Sequence, residues 1–224
     1  MADEQSARLE RVTDHGADVR SLFVRPARPF AFVPGQFVSC LLPAGGQRLT
    51  RPYSIASHPE TPERLELLLN LVPDGPGSHH LFALRPGAEI TLTGPWGAFA
   101  LERQPPAETI FLADGTGIAP IRPMLRRALA TGRHPVTLLH AASAPLPWVY
   151  ADEHEALAAA EDRLVFERLA SADLLAEAER RWVDADGDRS RHFFVCGVGD
   201  VVVRLRRMLR DAGYERRAVR YEKW

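Results

Sequence analysis

The spacing of apolar residues changes once along this chain, at "ERQPPA", Glu102 to Ala107. Before that stretch they alternate: "RLELLLNLV" puts Leu65, Leu67, Leu69 and Leu71 on one face, and "AEITLTG" does the same with Ile90 and Leu92. A period of two belongs to half-buried strands. The turn-forming stretches "RPFAFVPG", "PAGG", "VPDGPG" and "RPG" separate these strands at short intervals, which predicts an antiparallel barrel or sandwich of about six strands, with one short helix near "SHHLFAL". After the proline-bearing stretch, the apolar runs "TIFLA", "VTLLHA", "RLVFE", "HFFVC" and "RAVRYE" alternate with longer segments of helical spacing. Strand and helix in alternation build a parallel, doubly wound sheet. The patterns therefore give an antiparallel barrel or sandwich plus α/β, with one domain over 1–103 and a second over 107–224.

Two helices of the second half carry specific expectations. In the first, Ile121, Met124, Leu125, Ala128 and Leu129 share a face, and Pro123 is expected within the first turn, where its missing N–H costs little. In the last, Val201, Leu205, Met208 and Ala212 line one side, Asp200 is the expected cap and Gly213 the expected stop.

Charge and cysteine content narrow the function classes. The 28 basic and 29 acidic residues leave a formal charge of -1, so no nucleic-acid footprint or polybasic membrane patch is expected. Cys40 and Cys196, the two cysteines, are too few for an iron–sulfur cluster and too far apart for a usual structural zinc site. No metal site is expected, and a reduced, cytoplasmic setting is the default. The acidic opening "MADEQSARLE" lacks the apolar core of a signal peptide, and no run reaches the length of a membrane span.

Three stretches point to chemistry. "RPYSIAS", Arg51 to Ser57, places a proline inside a strand pattern; proline removes a ladder hydrogen bond, so such a strand lies at an edge or beside something other than a strand. In "TIFLADGTGIAP", Gly115 and Gly117 fall where the first parallel strand hands over to its helix. Backbone N–H groups there can approach a pyrophosphate, and the helix dipole favours its charge; a plain strand-to-helix turn also uses glycine for its dihedrals. "FFVCGVGD" ends the fourth parallel strand, so Cys196 and Gly197 border the same crevice outside the carboxyl ends of the strands. A buried cysteine is also a common core residue.

"RPYSIAS", "GPWGAFAL", "GTGIAP", "FVCG" and the terminal "YEKW" occur in the order found in the ferredoxin–NADP reductase-like flavoproteins, and the resemblance covers nearly the whole chain. It implies a six-stranded antiparallel FAD-binding barrel followed by a five-stranded parallel nucleotide-binding domain, with hydride passing from NAD(P)H to flavin. By resemblance, Arg51 pairs with the FAD pyrophosphate, Pro52 and Tyr53 lie along the cofactor and Ser54 presents its hydroxyl to flavin N5. "GPGSHHL" resembles the second flavin segment, with Gly77 and Ser78 at the FAD phosphates; His79 and His80 beside them have no third ligand in view and are read as helix residues. Gly115, Thr116 and Gly117 would hold the phosphates of the nicotinamide dinucleotide, and Cys196 and Gly197 would lie near the nicotinamide. Glu222 would influence protonation there, and Trp224 would stack on the flavin until nicotinamide displaces it. Ser54, Cys196 and Glu222 are the candidate catalytic residues.

Two departures from the family pattern stand out. Asp114 precedes "GTGIAP" where a small residue is usual, and "CGVGDVV" lacks the usual proline and methionine. A carboxylate beside a pyrophosphate repels it unless it turns away or meets a ribose hydroxyl. The loops "HAASAPLPW" and "LASADLL" contain no Lys or Arg to meet a 2′-phosphate, which favours NADH; Arg168, slightly earlier, is the nearest cation. The electron acceptor is expected to be separate: a ferredoxin, an oxygenase component or a small molecule such as free flavin. The alternative is a flavin-binding electron-transfer or regulatory subunit without productive nicotinamide use; a module that has lost its cofactor fits less well, because the flavin-facing residues are present.

Overall fold

A computed structural model describes residues 4–44, 47–185 and 187–224. The chain divides into two compact units, Met1–Glu102 and Arg103–Trp224. The first contains β1 (Gln5–Asp14), β2 (Val19–Pro26), β3 (Phe37–Ala44), β4 (Gln47–Ser54), β5 (Leu65–Asn70), α1 (Pro76–Ala83) and β6 (Glu89–Trp96). Its six strands pair antiparallel in the order β4-β3-β6-β1-β2-β5. The two end strands are joined by a single bridge, Ile55 to Leu67, and by the Ala56 N–H donating to the Glu66 carbonyl at 2.8 Å. The sheet thus curls into a barrel with a thin seam, and Pro52 lies on the end strand, where a missing N–H costs least.

Alternate residues of β2, β3, β5 and β6 point inward. Leu22 and Val24, Val38, Cys40 and Leu42, Leu65, Leu67 and Leu69, and Ile90 and Leu92 form one buried cluster, each large aliphatic chain contributing about 1.5–3 kcal/mol when withdrawn from water. β5 departs from the simple alternation because its second face is covered as well: Leu68 is buried, and buried Glu66 accepts the Ser21 hydroxyl at 2.7 Å. Leu71 lies past the end of the strand and does not continue the inward row.

The second unit contains β7 (Thr109–Asp114), a 3-10 turn (Gly115–Gly117), α2 (Ile118–Thr131), β8 (Val136–Ala142), α3 (Ala151–Ala160), β9 (Leu164–Ala170), α4 (Leu174–Glu179), β10 (His192–Gly197), α5 (Val201–Asp211) and β11 (Val219–Lys223). The five strands are parallel in the order β11-β10-β7-β8-β9. From β7 the chain runs outward through β8 and β9, then returns to the other side for β10 and β11. The strand order therefore reverses between β7 and β10, the position where open α/β sheets bind ligands.

α2 buries Ile121, Met124, Leu125, Ala128 and Leu129 as expected. Pro123 is not in its first turn: the helix starts at Ile118, so Pro120 takes that place and Pro123 sits inside, removing the bond that would run back to Ala119. Asp200 does not cap α5 through its side chain; its carboxylate instead accepts from Lys223 Nζ at 3.1 Å. α5 buries Val202, Leu205 and Leu209, with Val201, Met208 and Ala212 partly buried at the edge of that face. Gly213 does stop the helix. At φ +97° it takes the left-handed geometry, its N–H donates to Arg210, and the Tyr214 N–H donates to Leu209, both at 3.1 Å.

Candidate functional site

In the barrel unit the candidate flavin residues come from the end of β4 and the start of α1. Arg51 is exposed; its guanidinium donates to the Thr50 carbonyl at 2.9 Å, and no carboxylate among the described residues pairs with it. Its stem lies against Gly77. A Cβ on Gly77 would come within 2.8 Å of Arg51 Cγ, so these two segments, separate in sequence, meet here with no room for a side chain between them. Pro76 and Gly77 occupy the first two positions of α1, and Ser78 the third, where N–H groups have no partner within the helix.

The two candidate serines differ. Ser78 is buried and its hydroxyl is committed: it donates to the Gly75 carbonyl at 2.9 Å and accepts the Val72 N–H at 3.0 Å. It shapes the turn before α1, leaving its backbone N–H as the group suited to a phosphate. Ser54 is equally buried, but its Oγ has no hydrogen-bond partner among the described residues. An unsatisfied buried hydroxyl costs about 1–3 kcal/mol, and an acceptor or donor on a flavin ring would satisfy it. Tyr53, beside it, is half-buried, and burial pushes its phenol up to about 12, so it remains neutral. Arg51, Tyr53, Ser54 and the Gly77 turn together fit FAD: a cation and free helix amides for phosphates, an aromatic ring and a waiting hydroxyl for the flavin.

In the second unit the carboxyl ends of β7 and β10 come together at the reversal point. A Cβ on Gly117 would lie 2.2 Å from the Cys196 carbonyl oxygen, and one on Gly197 would lie 2.8 Å from Asp114 Cβ. Gly115 holds φ +55°. The stretch "GTG" and the stretch "CG" are thus two sides of one crevice, and backbone rather than side chains lines it. Cys196 is fully buried and pairs in register with Glu222 on β11; burial, helped by the Glu222 carboxylate, holds the thiol protonated. Glu222 Oε2 is itself buried without a partner, and burial raises its carboxyl to about 7. Trp224 follows, with its backbone N–H donating to the Gly197 carbonyl at 3.1 Å and its side chain partly exposed.

Three residues take places that sequence reasoning either missed or left open. Asp114 turns toward the loop after β9, where its carboxylate accepts the Ser171 hydroxyl; burial raises its carboxyl while this bond lowers it. Ser171 sits in "LASADLL", a loop read only for its lack of cations. His140, on β8, is fully buried, and its Nε2 meets the Gly115 carbonyl at 3.1 Å. The signal for His140 was present as the single titratable side chain in the mostly apolar strand "VTLLHAA". Arg168, the nearest cation to the adenosine loops, is engaged with Glu155 at 3.0 Å.

Comparison with known proteins agrees with this division of labour. An oxidoreductase FAD-binding domain family matches residues 6–101, and an oxidoreductase NAD-binding domain family matches residues 111–202. Ferredoxin–NADP reductase B of Sorangium cellulosum is 34% identical over 241 aligned residues, covering 100% of this chain and 99% of that protein. The glycine betaine monooxygenase reductase subunit of Pseudomonas aeruginosa is 28% identical over 225 residues, 93% of this chain but 61% of that longer protein. Among solved structures, an Amycolatopsis cytochrome P450 reductase gives a TM-score of 0.86 at 25% identity, covering 99% of this chain and 69% of that one. A ferredoxin–NADP+ reductase from Neisseria gonorrhoeae, with FAD and NADP bound, gives 0.83 at 22% identity, covering 100% and 99%, and supports the fold. The chain belongs to the ferredoxin–NADP reductase-like flavoproteins, FAD-dependent oxidoreductases that draw on NAD(P)H.

Proposed function

We propose that this protein oxidises NADH in preference to NADPH through a bound FAD and delivers the electrons to a separate iron–sulfur protein, a ferredoxin or an oxygenase component, in the cytoplasm. The observation that carries the flavin half is the buried Ser54 hydroxyl without a partner, on the same strand as Arg51 and Tyr53. FAD, when bound, supplies the hydride acceptor that no side chain provides. Arg51 and the first N–H groups of α1 neutralise its pyrophosphate, Tyr53 packs along it, and Ser54 hydrogen-bonds the ring at N5. Gly115, Thr116 and Gly117 take the pyrophosphate of the nicotinamide dinucleotide, with Gly197 keeping the crevice narrow. Cys196, a neutral thiol, packs at the nicotinamide end, where Trp224 supplies a flat aromatic face. Glu222, with a carboxyl near 7, holds or releases a proton at neutral pH.

The preference for NADH rests on the cations. The segments 143–150 and 171–173 contain no Lys or Arg, and Arg168 is paired with Glu155, so a 2′-phosphate meets no uncommitted guanidinium there. The name of the Sorangium relative points the other way, to NADP. Anaerobic mixing of the flavin-loaded protein with each nicotinamide decides both points. Bleaching of the flavin band within seconds by NADH, at lower concentration than by NADPH, supports the proposal. A band that persists with both would favour the regulatory alternative. Faster steady-state turnover with an added iron–sulfur protein than with free flavin tests the acceptor.

A further inference from the structure

We infer that His140 is a positioning residue for dinucleotide binding: from β8 it anchors the Gly115 carbonyl and thereby fixes the plane of the Gly115–Thr116 peptide in the turn proposed to hold the pyrophosphate. The inference rests on the proposed role of the Gly115–Gly117 turn. His140 pairs with Ala113 in the β7–β8 register, two residues before the turn, and its ring reaches the first residue of the turn, Nε2 to Gly115 O at 3.1 Å. A carbonyl only accepts, so Nε2 carries the hydrogen. Burial lowers the imidazole to about 4, so the ring is neutral at working pH, with Nδ1 bare and without a partner among the described residues.

The peptide between Gly115 and Thr116 is planar and trans, so its C=O and N–H point in opposite directions. Holding the carbonyl inward against β8 directs the Thr116 N–H away from β8. The Ile118 N–H donates to the same carbonyl, and the two donors together fix the peptide plane. Gly115 needs this restraint because its left-handed φ of +55° is reached for lack of a side chain and is not enforced by packing: a Cβ there would touch only Leu146, at 3.5 Å. Glycine leaves the turn free to take the required shape, and the histidine holds it there.

Stopped-flow reduction of the bound flavin across a range of NADH concentrations separates dissociation constant from limiting rate. His140→Phe keeps a buried ring and removes the donor; the dissociation constant should rise about tenfold, the weight of one well-made hydrogen bond, with the limiting rate within about twofold. His140→Gln, which places an amide N–H where Nε2 stood, should recover most of the loss. His154→Phe, a change at a second fully buried imidazole in the same unit that bonds no part of the turn, should leave NADH binding unchanged. Calorimetric titration of wild type and His140→Phe with NAD+ reads the same turn without hydride transfer. A wild type that binds NAD+ but is not reduced defeats the proposed function and leaves this inference standing if His140→Phe binds more weakly. Equal NAD+ and NADH affinities in His140→Phe and wild type overturn the inference, as does an equal loss in His154→Phe.

Discussion

Gly77 in the barrel unit and Gly117 in the nucleotide-binding unit each stand where the chain enters a helix at a proposed phosphate site, yet what crowds them differs. A Cβ on Gly77 would meet Arg51 Cγ at 2.8 Å, a side-chain atom that moves only if the arginine changes its χ1 rotamer, but no backbone atom. A Cβ on Gly117 would meet the Cys196 carbonyl oxygen at 2.2 Å and Gly197 Cα at 2.7 Å, backbone of an adjacent strand held on both sides by the sheet. One site closes around its ligand with side chains, the other with main chain. The barrel site therefore has slack that a substitution can use, and the crevice at the strand-order reversal has none.

Gly117→Ala is the sharpest way to break that comparison. The clash can be relieved only by moving β10 away from α2, at a cost of about 3 kcal/mol or more. The variant should melt well below wild type and lose NADH-dependent flavin reduction. A Gly117→Ala protein that melts like wild type and retains its NADH affinity would show that the crevice has the slack denied to it here.

Acid tests the same contrast without mutation. His140 and His154 are both buried in the second unit, and burial lowers them to about 4 and about 3 from an ordinary 6.5; on His154, Glu153 opposes this while His140, Arg122 and Arg126 add to it. Their folded values lie below their unfolded ones, so their contribution is intact above pH 6.5. It is lost as pH falls toward 4, because the unfolded chain then takes up protons that the fold cannot hold. His140 alone accounts for about 3 kcal/mol of that loss. Glu222 works in the opposite sense: raised to about 7, it stabilises the fold at low pH and costs stability as pH rises from 4.5 through 7. Denaturant unfolding of the whole protein between pH 4.5 and 7 should show a net rise in stability with pH, and Glu222→Gln should steepen it by removing the opposing slope. A profile flat from pH 7 to 4.5 would mean that the two imidazoles are reached by water.

How much of this was legible in the sequence follows from which forces act locally. Strand and helix periods are written in neighbouring residues, so the barrel, the parallel sheet and the glycine turns could all be read. The β5 row was read one step too far: the strand ends at Asn70, and the Leu71 N–H instead donates to the Asp18 carbonyl, a partner more than fifty residues back that no local pattern records. Asp200 had the composition of a cap, but Lys223 on β11 competes for its carboxylate, and no local pattern records that. His140 escaped for the same reason: its partner, Gly115, lies 25 residues away. Main-chain contacts between distant segments, which carry most of the nucleotide crevice, leave only glycines as their trace in sequence.

Gly77→Ala probes the softer side of the comparison. Displacing the Arg51 stem should weaken FAD binding about tenfold while leaving the fold within about 1 kcal/mol of wild type. Equilibrium dialysis of FAD against the apoprotein measures it. An effect on stability as large as that of Gly117→Ala would erase the distinction between side-chain and main-chain closure.

The smallest effects lie within the barrel site, where the two serines separate ligand chemistry from local structure. Ser78 holds the turn before α1 through bonds to Val72 and Gly75, so Ser78→Ala should lower stability by about 1 kcal/mol with or without FAD. Ser54 has no such bonds, and Ser54→Ala should leave the apoprotein as stable as wild type or slightly more so, because it removes an unsatisfied buried hydroxyl. The Ser54 loss should instead appear only with flavin present, as slower reduction by NADH at unchanged NADH affinity. If Ser54→Ala destabilises the apoprotein by as much as Ser78→Ala does, its hydroxyl has a protein partner after all, and the hydrogen-bond donor to flavin N5 must be sought elsewhere on the strand.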